Sequence, residues 1–217
     1  MPERRVGKSI RMSLEPGLAR LIAARLCHDL GGVVGTLAGT LDLVEPGDPG
    51  MHELARESAQ VLRHRLRLYS AAWGGGASDL DAAGLTELLQ GAPASPRVRF
   101  ALDRMEGGGL LPAALVPIAL NAALLAAEAL PRGGTVHLGG SAARGLHVWP
   151  DGASAAWPQA VISALSGMPE AELLEGGPRR VLLPLLLAFA EEVGWTPALS
   201  LGGEWGSGCA LLSLTPA

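Results

Sequence analysis

Cys27-His28-Asp29-Leu30 is the stretch of this 217-residue chain best equipped to do chemistry. An imidazole is neutral near pH 7, nucleophilic at one ring nitrogen, and steerable through the other by a neighbouring carboxylate. The tetrad lies inside LARLIAARLCHDLGGVVGTLAGTLDLVE, where Ile22, Leu26, Leu30, Val33, Leu37, Leu41 and Val44 recur at spacings of three and four. That is one apolar stripe of a helix. At about 100° per residue, His28 lies roughly 160–200° from Leu26 and Leu30, so it faces away from the stripe. Ala24, Arg25, Gly31, Gly32, Gly35 and Gly39 share its outward side. An open imidazole beside an acid, on a surface shaved of side chains, suits reaction with a group presented by another protein. A plain surface histidine in a Gly-rich chain has the same geometry.

The glycines carry a cost. Gly31, Gly32, Gly35 and Gly39 in one helix together lose roughly 2–4 kcal/mol relative to alanine, which suggests that a partner helix approaches the backbone there. Arg25, three residues before His28, can reach a phosphate or serve as an ordinary solvated arginine. Cys27 reads as a small packing residue, because no second histidine stands at helical spacing to activate it.

Other polar groups converge less well. His52 and His64 fall on a second helix and His137 and His147 on neighbouring strands, without acidic companions at ligand spacing. Arg56, Arg63, Arg65 and Arg67 read as a solvated face or, alternatively, as a complement to an acidic rim on a partner. Cys27 and Cys209 are too few for a disulfide framework. A net charge of −4 gives no electrostatic case for nucleic acid. Met1–Arg11 lacks the apolar core of a signal peptide. Leu110–Ala127 approaches spanning length, but Pro112 and Pro117 break it and leave Ile118–Leu130 as a buried helix of a soluble domain.

These residues need elements to hold them. Ser13 as N-cap and Pro16 in the first turn would open the first helix, and Glu45–Gly50 (EPGDPG) turns the chain. A second helix, about Met51 to Trp73, has Leu54, Ser58, Val61, Leu62, Leu66, Tyr69 and Trp73 as its inner stripe. Two apolar stripes on one hairpin cannot both be buried, which favours a dimeric four-helix bundle. Gly74–Ser78 is the linker. Beyond it the pattern alternates: helix 79–90, strand 97–103, helix 113–130, strands 134–139 and 145–149, helix 157–166, strand 179–182, helix 184–193, strands 197–203 and 208–214. That is an α/β sandwich with a mixed sheet. The expected organisation is a flexible N-terminus over 1–12, the dimerisation hairpin carrying His28 over 13–75, and the sandwich over 79–217; the fold class is α+β.

ARLCHDL followed by a glycine-rich half-helix resembles the H-box of histidine-kinase dimerisation domains. It is more closely similar to the alphaproteobacterial histidine phosphotransferases of the ChpT family. IALNAALLAAEALPRGGTVHL in turn resembles the ATP-binding domain of histidine kinases, with Pro131, Gly133, Gly134 and Val136 in its helix-to-strand turn. Asn121 takes the outer asparagine place, whereas the Mg²⁺-liganding place holds Leu125. Asp151-Gly152 is a faint version of the nucleotide box, and GEWGSG (203–208) reads as a hairpin turn rather than a lid. The resemblance thus implies a degenerate kinase-type ATP-binding domain, with Asn121 a packing residue.

The same resemblance implies a cytoplasmic, homodimeric histidine phosphotransferase that relays phosphate between receiver-domain aspartates in cell-cycle signalling. His28 would carry the phosphoryl group, and Asp29 would orient the imidazole or take its proton. Arg25, Gly31, Gly32 and Gly35 would meet phosphate or partner. Gly32 stands where kinases often place a water-positioning polar residue, which favours transfer over dephosphorylation. The partners implied are the receiver of a hybrid histidine kinase and response regulators, with no nucleic acid and no membrane. No cofactor is expected on this chain, the Mg²⁺ coming with the receiver. An active or split histidine kinase and a non-catalytic receiver-binding scaffold are the alternatives.

Overall fold

The computed structural model describes residues 6–45, 48–167, 172, 177, 180–200 and 209–217. Two long helices, α1 (Val6–Leu43) and α2 (Pro49–Trp73), form the hairpin. Asp48 starts α2 by accepting the amides of Gly50 and Met51 at 3.0 and 3.1 Å, and Pro49 occupies a position whose N–H would be unsatisfied anyway. Next come α3 (Ala82–Leu89), β1 (Val98–Met105), α4 (Val116–Glu128), β2 (Gly134–Ser141), β3 (Gly145–Asp151), α5 (Gln159–Leu165), α6 (Leu182–Glu192), β4 (Trp195–Ser200) and β5 (Leu211–Pro216).

Among the described residues the strands make one five-stranded sheet in the order β1-β2-β3-β5-β4. In it β1 and β2 run parallel, joined through α4, and the other pairs are antiparallel. Alternation puts Val136, Leu138, Leu146, Val148, Leu212 and Leu214 on the face that packs against α4 and α6. α4 is buried at Val116 and from Ile118 to Ala127, as its all-round apolar sequence requires.

The base of the hairpin belongs to this core. Leu68, Tyr69 and Ala72 of α2 are buried in it, with Leu18, Leu21, Ile22, Leu26 and Leu30 of α1 packed alongside. Asn121 rivets the junction: its Oδ1 accepts Trp73 Nε1–H at 2.9 Å, and its Nδ2 donates to the carbonyls of Ala72 (3.2 Å) and Pro117 (2.8 Å). Gly91 lets α2 come close, since a Cβ there would lie 2.3 Å from the His64 carbonyl oxygen. The hairpin tip, by contrast, leaves Val34, Leu41, Leu43, Leu54 and Val61 exposed. Over Pro16–Leu43, α1 is long and apolar enough to cross a membrane by length and composition, and 11% of its 18-residue apolar window is buried.

Several expectations need correcting. α1 starts at Val6, so residues 6–12 are helical and Ser13 and Pro16 lie inside the helix. Leu54, Val61 and Leu66 are exposed within one chain, and the buried face of α2 is Ala55, Ser58, Leu68, Tyr69 and Ala72. Small residues are what two helix backbones need to approach each other. Of the strand expected over 179–182, the described residues 180–182 lead into α6 instead: a short apolar run does not distinguish a strand from a buried helix, and Pro184 is tolerated in a first turn. Cys27 is exposed and so is no packing residue. Arg179 and the 203–208 hairpin turn lie outside the described residues.

Candidate functional site

His28 and Asp29, adjacent in sequence, have opposite environments. The imidazole is 60% exposed, whereas the Asp29 side chain is 5% exposed. One step along a helix is about 100°, enough to move from an open face to the cleft between α1 and α2. The ring turns back so that Nδ1 lies 2.9 Å from Asp29 Oδ1. A carboxylate accepts there, so Nδ1 carries the hydrogen and the lone pair sits on Nε2, the nitrogen aimed at solvent.

The second oxygen, Oδ2, is shared by two donors. Arg25 Nε, one turn earlier on α1, donates at 2.6 Å, and the Tyr69 hydroxyl donates from α2. Arg25 is pinned at its other end as well, Nη1 donating at 2.9 Å to Glu128 Oε1 at the end of α4. Arg65 crosses from α2 to donate to the Asp29 main-chain carbonyl. Tyr69 is seated by stacking on Trp73, with centroids 4.3 Å apart and planes 11° from parallel.

Burial alone would raise the Asp29 carboxyl, but hydrogen bonds from Tyr69, Arg25 and His28, with the Arg25 charge, outweigh it and hold the pKa below the ordinary value. Tyr69 is pushed up, by burial and then by its hydrogen bond to the carboxylate. Arg25 is raised despite burial, because Asp29 and Glu128 both favour its charged form. The site is therefore an ionised carboxylate between a permanent cation and a neutral phenol, with the imidazole hydrogen-bonded to its free edge. Such an arrangement presents a fixed, outward-facing nitrogen nucleophile.

Gly31, Gly32, Gly35 and Gly39 continue the open side of α1, and beyond the adjoining backbone of α1 itself nothing lies within 4 Å of where a Cβ would stand. The structure thus brings His28, Asp29 and Arg25 into one network, with Gly31, Gly32 and Gly35 bordering it. It also adds three residues that sequence reasoning left out: Tyr69, Arg65 and Glu128. Tyr69 was legible only as an apolar stripe residue, and Arg65 as one of a solvated run. Counting turns back from the hairpin tip sets residues 65–69 opposite Asp29 and was the available signal. Nothing in the sequence pairs Glu128 with Arg25.

Asn121 has its amide occupied at the junction, and Leu125, one turn further along α4, is 2% exposed. Beside Leu125 and Glu128, a cavity of about 140 Å³ is bounded by Val161, Arg180 and Leu183.

Comparison with known proteins brings three findings. A family model described as the histidine phosphotransferase C-terminal domain matches residues 85–204. A solved structure entitled "1.7 Angstrom Structure of a Bacterial Phosphotransferase" is similar over 91% of this chain and 95% of that one, at 24% identity and a TM-score of 0.69; the likeness is one of fold. Full-length ShkA in complex with AMPPNP matches 92% of this chain and 46% of its own, at 20% identity and a TM-score of 0.42. No curated protein matches.

Proposed function

This chain belongs to the histidine phosphotransferase C-terminal domain family, and from that premise we propose that it relays a phosphoryl group between receiver-domain aspartates through His28. The family match covers the second part of the chain; the observation that carries the assignment to His28 is an exposed imidazole whose Nδ1 is tethered to a buried carboxylate at 2.9 Å.

The neutral Nε2 lone pair attacks the phosphorus of a receiver's aspartyl phosphate. A P–N bond forms, the P–O bond breaks, and the electron pair leaves with the receiver's carboxylate. The imidazole becomes cationic, and its Nδ1–H stays on Asp29, whose charge balances it. Because Asp29 has a lowered pKa, it orients the ring and compensates its charge rather than removing its proton. The second transfer reverses these steps onto another aspartate. Mg²⁺ held by the receiver supplies the neutralisation of the moving oxygens. Gly31, Gly32, Gly35 and Gly39 give the receiver room to lie against α1, and Gly32 offers no side chain to position a hydrolytic water.

The apolar tip residues Val34, Leu41, Leu54 and Val61 support a dimeric four-helix bundle, since a second hairpin would cover them. We read the second domain as a kinase-type ATP-binding fold that has lost its nucleotide. The amide of Asn121 is spent on α2 and the carbonyl of Pro117, and an apolar Leu125 stands where the resemblance puts a metal ligand. These features favour a phosphotransferase over a kinase. We assign it to the cytoplasm, with a hybrid kinase receiver and cell-cycle response regulators as partners.

The test is incubation with a panel of phosphorylated receiver domains. The wild-type chain should take up acid-labile label and His28→Ala should take up none while keeping its helicity. Label retained on His28→Ala, or base-labile label typical of a carboxylate, would refute the assignment.

A further inference from the structure

The reactive face of His28 depends on how two oxygens of one carboxylate are divided. Oδ1 must be left for Nδ1, and Oδ2 takes everything else. Arg25 alone would not enforce that division, because a guanidinium is a fork that grips both oxygens of a carboxylate when free to do so. Two further contacts prevent it. The Tyr69 hydroxyl occupies Oδ2 from the α2 side, and Glu128 draws the Nη1 end of Arg25 away towards α4. The result is a guanidinium that reaches Asp29 through Nε only.

We infer that Tyr69 and Glu128 are positioning residues for the phosphoacceptor: by holding Arg25 and the Asp29 carboxylate in this division, they keep Nδ1 of His28 hydrogen-bonded and Nε2 free. The second domain thereby contributes to the acceptor on the hairpin, since Glu128 is 103 residues from Arg25 in sequence and ends the most deeply buried helix of the fold. The inference rests on the reading of His28 as acceptor.

Without the Tyr69 hydroxyl, Glu128 alone opposes a two-oxygen grip by Arg25, and competition for Oδ1 weakens the bond that fixes the tautomer of His28. In the neutral ring the two tautomers then compete, and only the one protonated at Nδ1 has Nε2 ready to attack. A hydrogen bond to a charged group is worth on the order of 10–100-fold in such an equilibrium. Tyr69→Phe isolates the effect, because the ring keeps its stack on Trp73. Glu128→Ala removes the α4 contact of Arg25 and leaves the Tyr69 hydroxyl in place.

The experiment uses the full chain and two readouts. Nitrogen-15 NMR of the imidazole reports the tautomer, and transfer from a phosphorylated receiver reports the rate. Wild type should be mainly protonated at Nδ1. Tyr69→Phe should lose that preference and transfer about tenfold more slowly, and Glu128→Ala should move both readouts the same way by a smaller factor. A wild-type tautomer and rate in Tyr69→Phe would overturn the inference. So would a faster rate, which would mean that the basicity of Asp29, not its orientation, limits transfer. A wild-type chain that takes no label at all would instead overturn the acceptor reading.

Discussion

Replacing Asn121 with leucine tests whether this asparagine is a structural rivet. The residue is fully buried, and leucine is close to it in size, so the change removes hydrogen bonds with little cavity. Two groups lose their partner: the indole N–H of Trp73 and the carbonyl of Ala72 near the end of α2. The Pro117 carbonyl keeps its own helical bond. A buried polar group left unpaired costs about 1–3 kcal/mol, partly offset by the added apolar surface, so the net loss should be about 2–4 kcal/mol. That is a large share of the ~5–15 kcal/mol a domain commands. Equilibrium urea unfolding, followed by tryptophan fluorescence and circular dichroism at one fixed protein concentration, should show a lower midpoint at an unchanged slope. A double-mutant cycle with Trp73→Phe should give a coupling of about 1 kcal/mol. Since Trp73 seats Tyr69, phosphate transfer should slow as well. A stability within ~0.5 kcal/mol of wild type, with no coupling to Trp73, would refute the reasoning and reopen a ligand-binding role for this amide.

Two glycines should respond in opposite directions: Gly91→Ala must push a methyl into the His64 carbonyl and lower the unfolding midpoint, whereas Gly39→Ala, with open space around it, should gain about 0.5–1 kcal/mol from helix propensity. Light scattering should give a dimer mass at micromolar concentration, and Leu41→Glu, at a side chain 54% exposed in one chain, should shift it towards monomer without loss of helicity. Calorimetry with Mg²⁺-ATP should detect no binding tighter than about millimolar; micromolar affinity would favour a kinase. The Asp29 carboxyl is lowered on folding, so its stabilisation is complete above the unfolded value of ~3.9 and lost as pH falls through the folded one. The stability gap between wild type and Asp29→Asn should therefore close on acidification below about pH 4.

Much of this protein was written in local order. The three- and four-residue spacing of Ile22, Leu26, Leu30, Val33 and Leu37 fixed α1 as a helix and put His28 on its open side, because a helix converts spacing into direction. EPGDPG placed the hairpin turn, and the alternating valines and leucines of β2, β3 and β5 marked the sheet. Local order failed where one pattern serves two structures: Val181–Leu183 suits a strand or a buried helix, and only packing against α4 decides. It failed also at α2, where Ala55 and Ser58 face α1 while Leu54 and Val61 do not, since close helix approach selects for small side chains.

The chemistry of the acceptor divides the same way. His28 and Asp29 were visible as neighbours, but their contrast, one ring open and one carboxylate enclosed, required a second helix beside the first. Arg25 was legible as a cation near the histidine, and only the fold turned it towards two carboxylates, one from α1 and one from α4. Tyr69, the single tyrosine of the chain, carries no local signal of contact with a residue forty positions away. Periodicity specifies which way a side chain points from its own helix; which atom it meets depends on the rotation and distance of the next helix, and these are set by the core that closes around α4.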